Sequence, residues 1–288
     1  MKLATLTSTG AMLVLLSAGS AHAESFQTCT GYINTIPATI SKQGTWCLAK
    51  DVSTANAAGT AIDIAVNNVI IDCNGFKIGN LAAGLGTQMT GIAARNRLNA
   101  TVRNCNVRGF LVGIDFSGDP SAGHVVENNR LDNNTAIAVR VEGSGSSVRG
   151  NTITDTGEGT VVNVSTAVFA GDNVDVIDNL IDGVQPSTGV GETAPATVGV
   201  IVAGSGAVLR GNRIRNLIAP AGGAGYGVYG AGAGLNRAAD NDLFGLGGTS
   251  WGVWCSSQDN ISLSDNYIGG FDVGYKSSCS NDGNNTIR

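Results

Sequence analysis

One position of the chain recurs about every 26 residues, and asparagine holds it in eight of its nine occurrences. The residue two places after it is large and apolar each time, and the residue three places before it is Ile, Val or Leu in seven of nine cases. Periods of roughly 20–50 residues are typical of solenoids, in which each repeat stacks on the next. The sequence therefore predicts a protein of stacked coils. The recurring position is filled by Asn74, Cys105, Asn129, Asn151, Asn179, Asn212, Asn241, Asn266 and Asn285.

A second marker, a small residue followed by a larger apolar or aromatic one, recurs between these anchors. Two anchors in each period predict coils of several short strands joined by tight turns. Asparagine suits such turns because it tolerates the left-handed backbone conformation. Equivalent asparagines in stacked coils would lie about 4.8 Å apart, where one side-chain amide can donate to the next. The small–apolar markers are Gly91-Ile92, Gly113-Ile114, Ala136-Ile137, Ala167-Val168, Gly199-Val200, Gly227-Val228, Gly252-Val253 and Gly274-Tyr275.

The composition excludes several other architectures. Glycine supplies 42 of the 288 residues, whereas only 14% of the residues are charged and 5% are aromatic. This glycine content disfavours a long helical bundle, and 42% hydrophobic residues argue against intrinsic disorder. With five prolines and no glycine at every third position, collagen is excluded as well. A β-rich, turn-rich globular protein remains.

With these two markers the chain resembles the right-handed parallel β-helix proteins of the pectate-lyase-like superfamily, which carry an internal asparagine ladder. The resemblance covers roughly residues 60–288. It implies an all-β fold, a right-handed parallel β-helix (a solenoid) of about nine coils. It implies no particular activity, because this architecture hosts many unrelated functions. The catalytic motifs of the polygalacturonases, pectate lyases and alginate epimerases are absent from the sequence.

Residues 1–23 have the features of a secretory signal peptide: a lysine, a short apolar run and the small-x-small end Ala21-His22-Ala23. Cleavage after this segment would leave an exported chain, periplasmic or secreted. The apolar run is too short to cross a bilayer, and we expect no later membrane span. Residues 24–58 hold no ladder asparagine and are predicted to cap the first coil, with the β-helix at 59–288.

Six cysteines follow the signal peptide, and an even number in an exported protein indicates disulfides. Fifteen connectivities of six cysteines are possible. Residues one coil apart in the aligned repeat lie next to each other, which favours pairing between neighbouring coils. The predicted bridges are Cys29–Cys47, Cys73–Cys105 and Cys255–Cys279.

Metal and nucleic-acid ligands have little support in the sequence. The chain after the signal peptide keeps His124 and Met89 as its single histidine and methionine and has no C-x-x-C pair, so neither a copper or zinc centre nor a cofactor is predicted. A Ca²⁺ ion is the one metal that the resemblance leaves open, since lyases of the superfamily often hold one between cleft carboxylates. The formal net charge of −5 makes nucleic acid a poor partner.

The resemblance implies that the strand opening at each small–apolar marker lines the substrate cleft with its outward side chains. The N-terminal half of this face gathers Arg95, Asp115 and Arg140. As catalytic residues, the arginines would neutralise a uronate carboxylate while a base removes the adjacent proton. As structural residues, the three would form an alternating-charge ladder between strands. The same alternation at Asp72 and Arg103, where no site is expected, favours the structural interpretation.

The C-terminal half of the same face is predicted to be an outward stripe of apolar and aromatic side chains. An exposed row of rings suits the flat faces of sugars or a protein partner, whereas loops folded over it would make it core. Tyr226 and Trp251, directly before their markers, are expected to point inward as packing residues. The stripe consists of Phe169, Ile201, Tyr229 and Trp254.

These features favour an exported β-helix protein that engages a polysaccharide or other glycan along one strand face. Uronate-polysaccharide lyase chemistry through Arg140, Arg95 and Asp115 is the specific catalytic form of this hypothesis. The alternative is a non-catalytic periplasmic or surface scaffold that docks a protein partner on the same face. Both hypotheses use the same outward residues.

Overall fold

The computed structural model describes residues 28–191, 194–232, 234–256 and 259–288, and the predicted signal peptide lies outside these ranges. Within them the chain forms 31 β-strands and one short 3₁₀ helix, Leu81–Ala83. The strands pair in parallel. Parallel neighbours need a crossover connection between them, and here each coil supplies it by giving one strand to each of three sheets.

The first two sheets flank the recurring asparagine. The first sheet holds the strands that precede this residue: Gly31–Ile33, Gly44–Leu48, Val69–Asp72, Ala100–Arg103, Val125–Glu127, Ser146–Arg149, Val174–Ile177, Val208–Arg210, Gly234–Ala239, Asp259–Ser264 and Ser280–Gly283. The second sheet holds the strands that follow it: Val52–Ser53, Lys77–Gly79, Asn106–Arg108, Arg130–Asp132, Thr152–Thr156, Leu180–Val184, Arg213–Leu217, Asp242–Phe244, Tyr267–Gly269 and Thr286–Ile287.

The third sheet contains the strands that carry the small–apolar markers. They are Ala38–Ile40, Ala58–Ile64, Gln88–Arg95, Val112–Ser117, Ile137–Val141, Val164–Ala170, Ala196–Val202, Ala224–Gly230, Ser250–Cys255 and Val273–Tyr275. A complete coil runs through the first, second and third sheets in that order, and nine such coils lie between Gly44 and Tyr275 in the described residues. The prediction of a right-handed parallel β-helix of about nine coils is therefore confirmed.

The core consists of apolar columns that run along the solenoid axis. Val102, Val126 and Val148 are register partners in successive coils of the first sheet, and all three are fully buried. Parallel strands about 4.8 Å apart bring such equivalent side chains into contact. β-Branched residues fill these columns well because they pack on the pleated surface with little loss of rotamer freedom. Each coil thus buries its apolar residues against its two neighbours.

A ladder of buried asparagine side chains joins the coils at the corner between the first and second sheets. In each rung the backbone N–H and the Nδ2 group of one asparagine both donate to Oδ1 of the next, at 2.9–3.1 Å. Nδ2 also donates to a backbone carbonyl of the preceding coil. Asn151, for example, donates to the carbonyl of Val126, which lies three residues before the preceding rung, Asn129. The corner therefore contains no unpaired amide of these residues. The rungs are Asn129, Asn151, Asn179, Asn212, Asn241, Asn266 and Asn285.

The structure corrects two details of the predicted ladder. The left-handed residue is the one immediately before each rung, such as Asn128 (φ 54°), whereas the rungs themselves are not among the residues with positive φ. Asn74 takes this left-handed position (φ 49°) and donates to the Leu48 carbonyl instead of forming a rung. The physical reason is that one residue cannot both turn the corner and direct its amide inward along the stack. The left-handed turn and the side-chain hydrogen bonds of the ladder are therefore made by two adjacent residues.

The small–apolar marker is a bend at which two successive residues face the interior. Gly227 and Val228 are both buried, whereas Tyr226 and Tyr229 on either side are only half-buried. A Cβ atom on Gly227 would lie 2.5 Å from the carbonyl oxygen of Gly252, the marker glycine of the next coil. Glycine therefore allows neighbouring coils to approach closely at this bend.

One coil is offset from the predicted register. The sequence predicts its marker at Ala136-Ile137, but the strand pairing aligns Arg140 with Asp115, which makes Ala138-Val139 the marker. The coil contains two successive small–apolar pairs, so either pair could be the marker. The two alternatives differ by two residues, and a shift of two residues keeps every side chain on the same face of the strand. The correction places Arg140 in the same row of side chains as Asp115.

The three predicted disulfides are all present. The Cα–Cα distances are 5.8 Å for Cys29–Cys47, 4.7 Å for Cys73–Cys105 and 5.4 Å for Cys255–Cys279. Three disulfides indicate an oxidising compartment. In the described part of the chain, no helix has the length and hydropathy of a membrane span. Residues 31–53 add strands to all three sheets, and their predicted role as a cap stays a prediction.

The ladder makes the central rungs more sensitive to substitution than the terminal one. Asn179→Ala would remove the acceptor of the buried Asn151 backbone N–H, one of the two acceptors of Asn151 Nδ2, and the side-chain donor to the Val148 carbonyl. We expect it to lower the free energy of unfolding by about 2–4 kcal/mol. Asn285→Ala is the matched control, because Asn285 lies at the half-exposed end of the ladder, where water can replace its bonds. Urea unfolding of both variants checks this, and equal losses would contradict a cooperative ladder.

Candidate functional site

Seven side chains two places after the first residue of a marker, together with Asp63 on the strand before the first marker, form a row along the third sheet, here called the outward row. Strand register places each residue directly beside its counterparts in the neighbouring coils. The row crosses eight consecutive strands, so a spacing of about 4.8 Å gives it a length of roughly 34 Å. Its residues are Asp63, Ala93, Asp115, Arg140, Phe169, Ile201, Tyr229 and Trp254.

Arg95 and Asp115, in the polar half of this face, form an ion pair. Arg95 Nη2 lies 2.6 Å from Asp115 Oδ2 and 3.2 Å from Thr90 Oγ1. Asp115 is 5% exposed, so its carboxylate lies against the sheet beneath the arginine. Its second oxygen, Oδ1, is buried and accepts no hydrogen bond from the residues that the structure describes. The pair that sequence reasoning brought together is therefore in contact.

Arg140 is engaged by residues other than Asp115. Its Nε and Nη2 atoms lie 3.0 and 2.5 Å from Oε1 of Glu142, and its guanidinium carbon lies 5.3 Å from the centre of the Phe169 ring. Sequence reasoning missed Glu142, although side chains two apart on a strand share a face. The charges of this half are thus largely compensated in pairs. Catalytic roles for Arg95, Asp115 and Arg140 stay predictions.

In the aromatic half, rings stack along the solenoid axis. The Tyr229 and Trp254 rings have centres 4.6 Å apart and an interplanar angle of 2°, and Lys276 Nζ lies 4.1 Å from the centre of the Trp254 ring. Tyr226 and Trp251 form a second stacked pair, with centres 5.4 Å apart and an angle of 14°. Stacking thus covers one face of each of these four rings, and Lys276 also covers Trp254.

The expected inward orientation of Tyr226 and Trp251 is wrong. Both are half-buried, and Tyr226 meets the Tyr229 ring edge-on with centres 5.0 Å apart. The bend at the marker explains the error, because the glycine and the following valine both face inward and so place their flanking residues outside. Burial raises the pKa of the Tyr226 phenol, with a further contribution from Tyr229, so this hydroxyl remains a hydrogen-bond donor at neutral pH.

His124 is part of the core and not of this face. It is fully buried; Nδ1 accepts the Ala100 N–H at 3.2 Å, and Nε2 lies 3.0 Å from Ser121 Oγ. Ser121 Oγ in turn donates to the Glu142 carbonyl, which indicates the tautomer that carries its proton on Nε2. Among the described residues no group of three or more His, Cys, Asp or Glu side chains gathers as a metal site. The Ca²⁺ ion that the resemblance leaves open is not tested by this observation.

The fold and this geometry define a parallel β-solenoid with one extended outward face. A family model described as the right-handed β-helix region matches residues 26–190, which is more than half of the chain. The chain therefore belongs to the right-handed β-helix family. Searches of the curated proteins and of the solved structures found no match.

The buried imidazole predicts a pH dependence of stability. Burial lowers the pKa of His124 below its usual 6.5, so the folded protein keeps the ring neutral while the unfolded chain binds a proton. Stability is therefore lost as the pH falls below about 6.5, by up to about 1.4 kcal/mol per pH unit until the folded-state pKa is reached.

His124→Asn is the matched variant, because Asn236 accepts the Ala207 N–H at 3.0 Å at the equivalent corner of another coil. Urea unfolding between pH 5 and pH 8 would measure both proteins. We expect the stability of the wild type to fall relative to the variant below pH 6.5, whereas parallel pH profiles would contradict the assignment.

Proposed function

We propose that this protein is an exported β-helix protein that binds a polysaccharide along the outward row. The observation that carries the proposal is the continuity of the row across eight strands, from Asp63 to Trp254. A face of roughly 34 Å, in which Ala93 and Asp115 are the buried positions, suits a linear polymer that lies across successive coils. The signal-peptide features and the three disulfides support export.

The aromatic half would bind through ring edges. The Tyr226 and Tyr229 hydroxyls and the Trp251 and Trp254 indole N–H groups make no hydrogen bond within the described residues. They supply four donors near one another on a largely apolar surface, and buried or half-buried donors of this kind bind glycan hydroxyls. Face-on stacking of a sugar on Trp254 is disfavoured, because Tyr229 and Lys276 cover that ring.

A uronate lyase is the catalytic form of this proposal. Arg140 or Arg95 would neutralise the uronate carboxylate and so acidify the C5–H, and Asp115 would accept the proton. The C–H electron pair would form the C4=C5 double bond as the C4–O4 bond breaks, and the departing O4 would take a proton from water. Both ion pairs must then open, because Asp115 holds Arg95 and Glu142 holds Arg140 in the free protein. This requirement favours binding over cleavage, and a direct assay separates the two.

Trp254→Ala is expected to weaken retention of the polysaccharide at least about tenfold, since it removes one donor and the ring on which Tyr229 packs. Tyr267→Ala is the matched control, because Tyr267 packs on Phe244 in the second sheet, away from the outward row. Affinity electrophoresis through gels containing acidic and neutral polysaccharides measures both variants. Equal retention of the two variants would argue against the outward row as the binding face.

A depolymerisation assay on residues 24–288 with intact disulfides tests the catalytic form. Absorbance from unsaturated uronides would establish a lyase, and new reducing ends without that absorbance would establish a hydrolase. Binding without either product supports the non-catalytic form. Failure to retain any polysaccharide would overturn the proposal and favour the alternative, a scaffold that docks a protein partner on this face.

A further inference from the structure

A concave surface lies at the corner between the first and second sheets, in the N-terminal coils. It is an open groove of about 970 Å³, here called the corner groove. Its lining includes Tyr32, Arg103, Asn104, Asn106, Asn128 and Arg130. This volume is within the range of ligand sites, which hold roughly 300–1,000 Å³. None of these residues belongs to the outward row, so the groove is separate from the face discussed above.

The corner groove is lined by side-chain amides for a reason rooted in the fold. The corner position just before each ladder rung needs a left-handed residue, and Asn104 and Asn128 fill it with φ values of 54°. Asn106 and Arg130 are register partners on the adjoining strands of the second sheet. Each coil therefore repeats the same pair of positions about 4.8 Å further along the axis, which presents a ladder of polar groups to a linear ligand.

Arg130 supplies an uncompensated positive charge in this groove. Arg103 Nε lies 2.8 Å from Asp72 Oδ2, so these two lining charges compensate each other. Arg130 is exposed and makes no ion pair with any described residue, and the Asn128 side chain likewise forms no hydrogen bond there. The Asn104 and Asn106 side chains donate to Asp72 Oδ1 and to the Gly75 carbonyl, so each has its other amide N–H and its side-chain carbonyl available. A guanidinium beside such amide groups is suited to an anionic group carried on a hydroxyl-rich ligand.

The same corner carries the opposite charge in the C-terminal coils. The left-handed position is held there by Asp178, Asp240 and Asp265. Carboxylates spaced along this edge repel an anion, so an acidic ligand would be confined to the N-terminal coils. Tyr32 marks the far end of that region: it is 58% exposed and, among the described residues, contacts no other ring. Tyr32 is therefore more exposed than the half-buried Trp254, and no other ring stacks on it.

We propose that the corner groove binds a short anionic saccharide. Arg130 binds its carboxylate or sulfate, the amides of Asn104, Asn106 and Asn128 bind its hydroxyls, and Tyr32 stacks on a sugar ring. Four strand spacings separate the coil of Tyr32 from that of Arg130, about 19 Å along the axis, which a short oligomer can span. The proposal does not depend on polysaccharide binding by the outward row.

Isothermal titration of residues 24–288 with three galactose-based tetramers tests the proposal: a neutral one, a galacturonate and a 6-sulfated one. We expect the charged tetramers to bind and the neutral one to bind at least about tenfold more weakly. Whichever charged tetramer binds more tightly identifies the anionic group. Equal affinity for all three, or no binding of either charged tetramer, would overturn the proposal.

Arg130→Gln is expected to weaken binding of the charged tetramers at least about tenfold and to leave the neutral one unchanged. Arg213→Gln is the matched control, because Arg213 occupies the same row of the second sheet but pairs with Asp242 outside the groove. A thermal unfolding midpoint near that of the wild type shows that each variant folds. If Arg213→Gln weakens binding as much as Arg130→Gln, or if Trp254→Ala abolishes it, the ligand binds elsewhere and the corner groove is not its site.

Discussion

Parallel pairing of equivalent positions in successive coils is the constraint on which the rest of the structure depends. It places each residue over its counterpart about 4.8 Å away, so every position in the repeat becomes a row along the axis. Inside, a row must be apolar or must satisfy its own hydrogen bonds. The asparagine ladder does the latter, because each rung donates twice to the next and its own amide reaches a carbonyl of the preceding coil. Ladder and apolar columns together fix the register.

The same constraint determines what the outer surface can do. A row of like charges would repel, and the row of the first sheet avoids this by pairing arginine with a carboxylate, as in Arg103–Asp72 and Arg149–Glu127. A row of rings stacks face to face, as Tyr229 and Trp254 do. In both cases the side chains that the sequence suggests for binding already interact with their neighbours: the charges form ion pairs, and the ring faces stack. The chemistry left for a ligand is therefore carried by ring edges and by uncompensated groups.

The repeat predicts the fold and the disulfides because both depend on which positions recur. The repeat predicts the register less well where two residues or pairs that fit the same repeat position lie close together in the sequence. Asn74 looks like a rung by its spacing but turns the corner, and the successive pairs Ala136-Ile137 and Ala138-Val139 fit the same alternation. Strict alternation would place Tyr226 inside, but alternation fails at the marker because glycine permits two successive inward residues. Sequence reasoning missed the corner groove entirely, since its concavity arises from the angle between two sheets and no local pattern encodes that.

In a solenoid, a charged side chain usually pairs with an opposite charge in the neighbouring coil. A charged residue without such a partner is therefore the most informative about function. Arg213 has Asp242 beside it in the following coil, whereas Arg130, in the same row, has Asn106 and Thr152 as its neighbours and no carboxylate. Coil stacking does not require an arginine at this point, because the row is already held by backbone pairing on both sides. Nor does an exposed arginine add stability when it has no partner. The charge of Arg130 is thus free for a ligand, and the amides that border it have a chemistry that matches one.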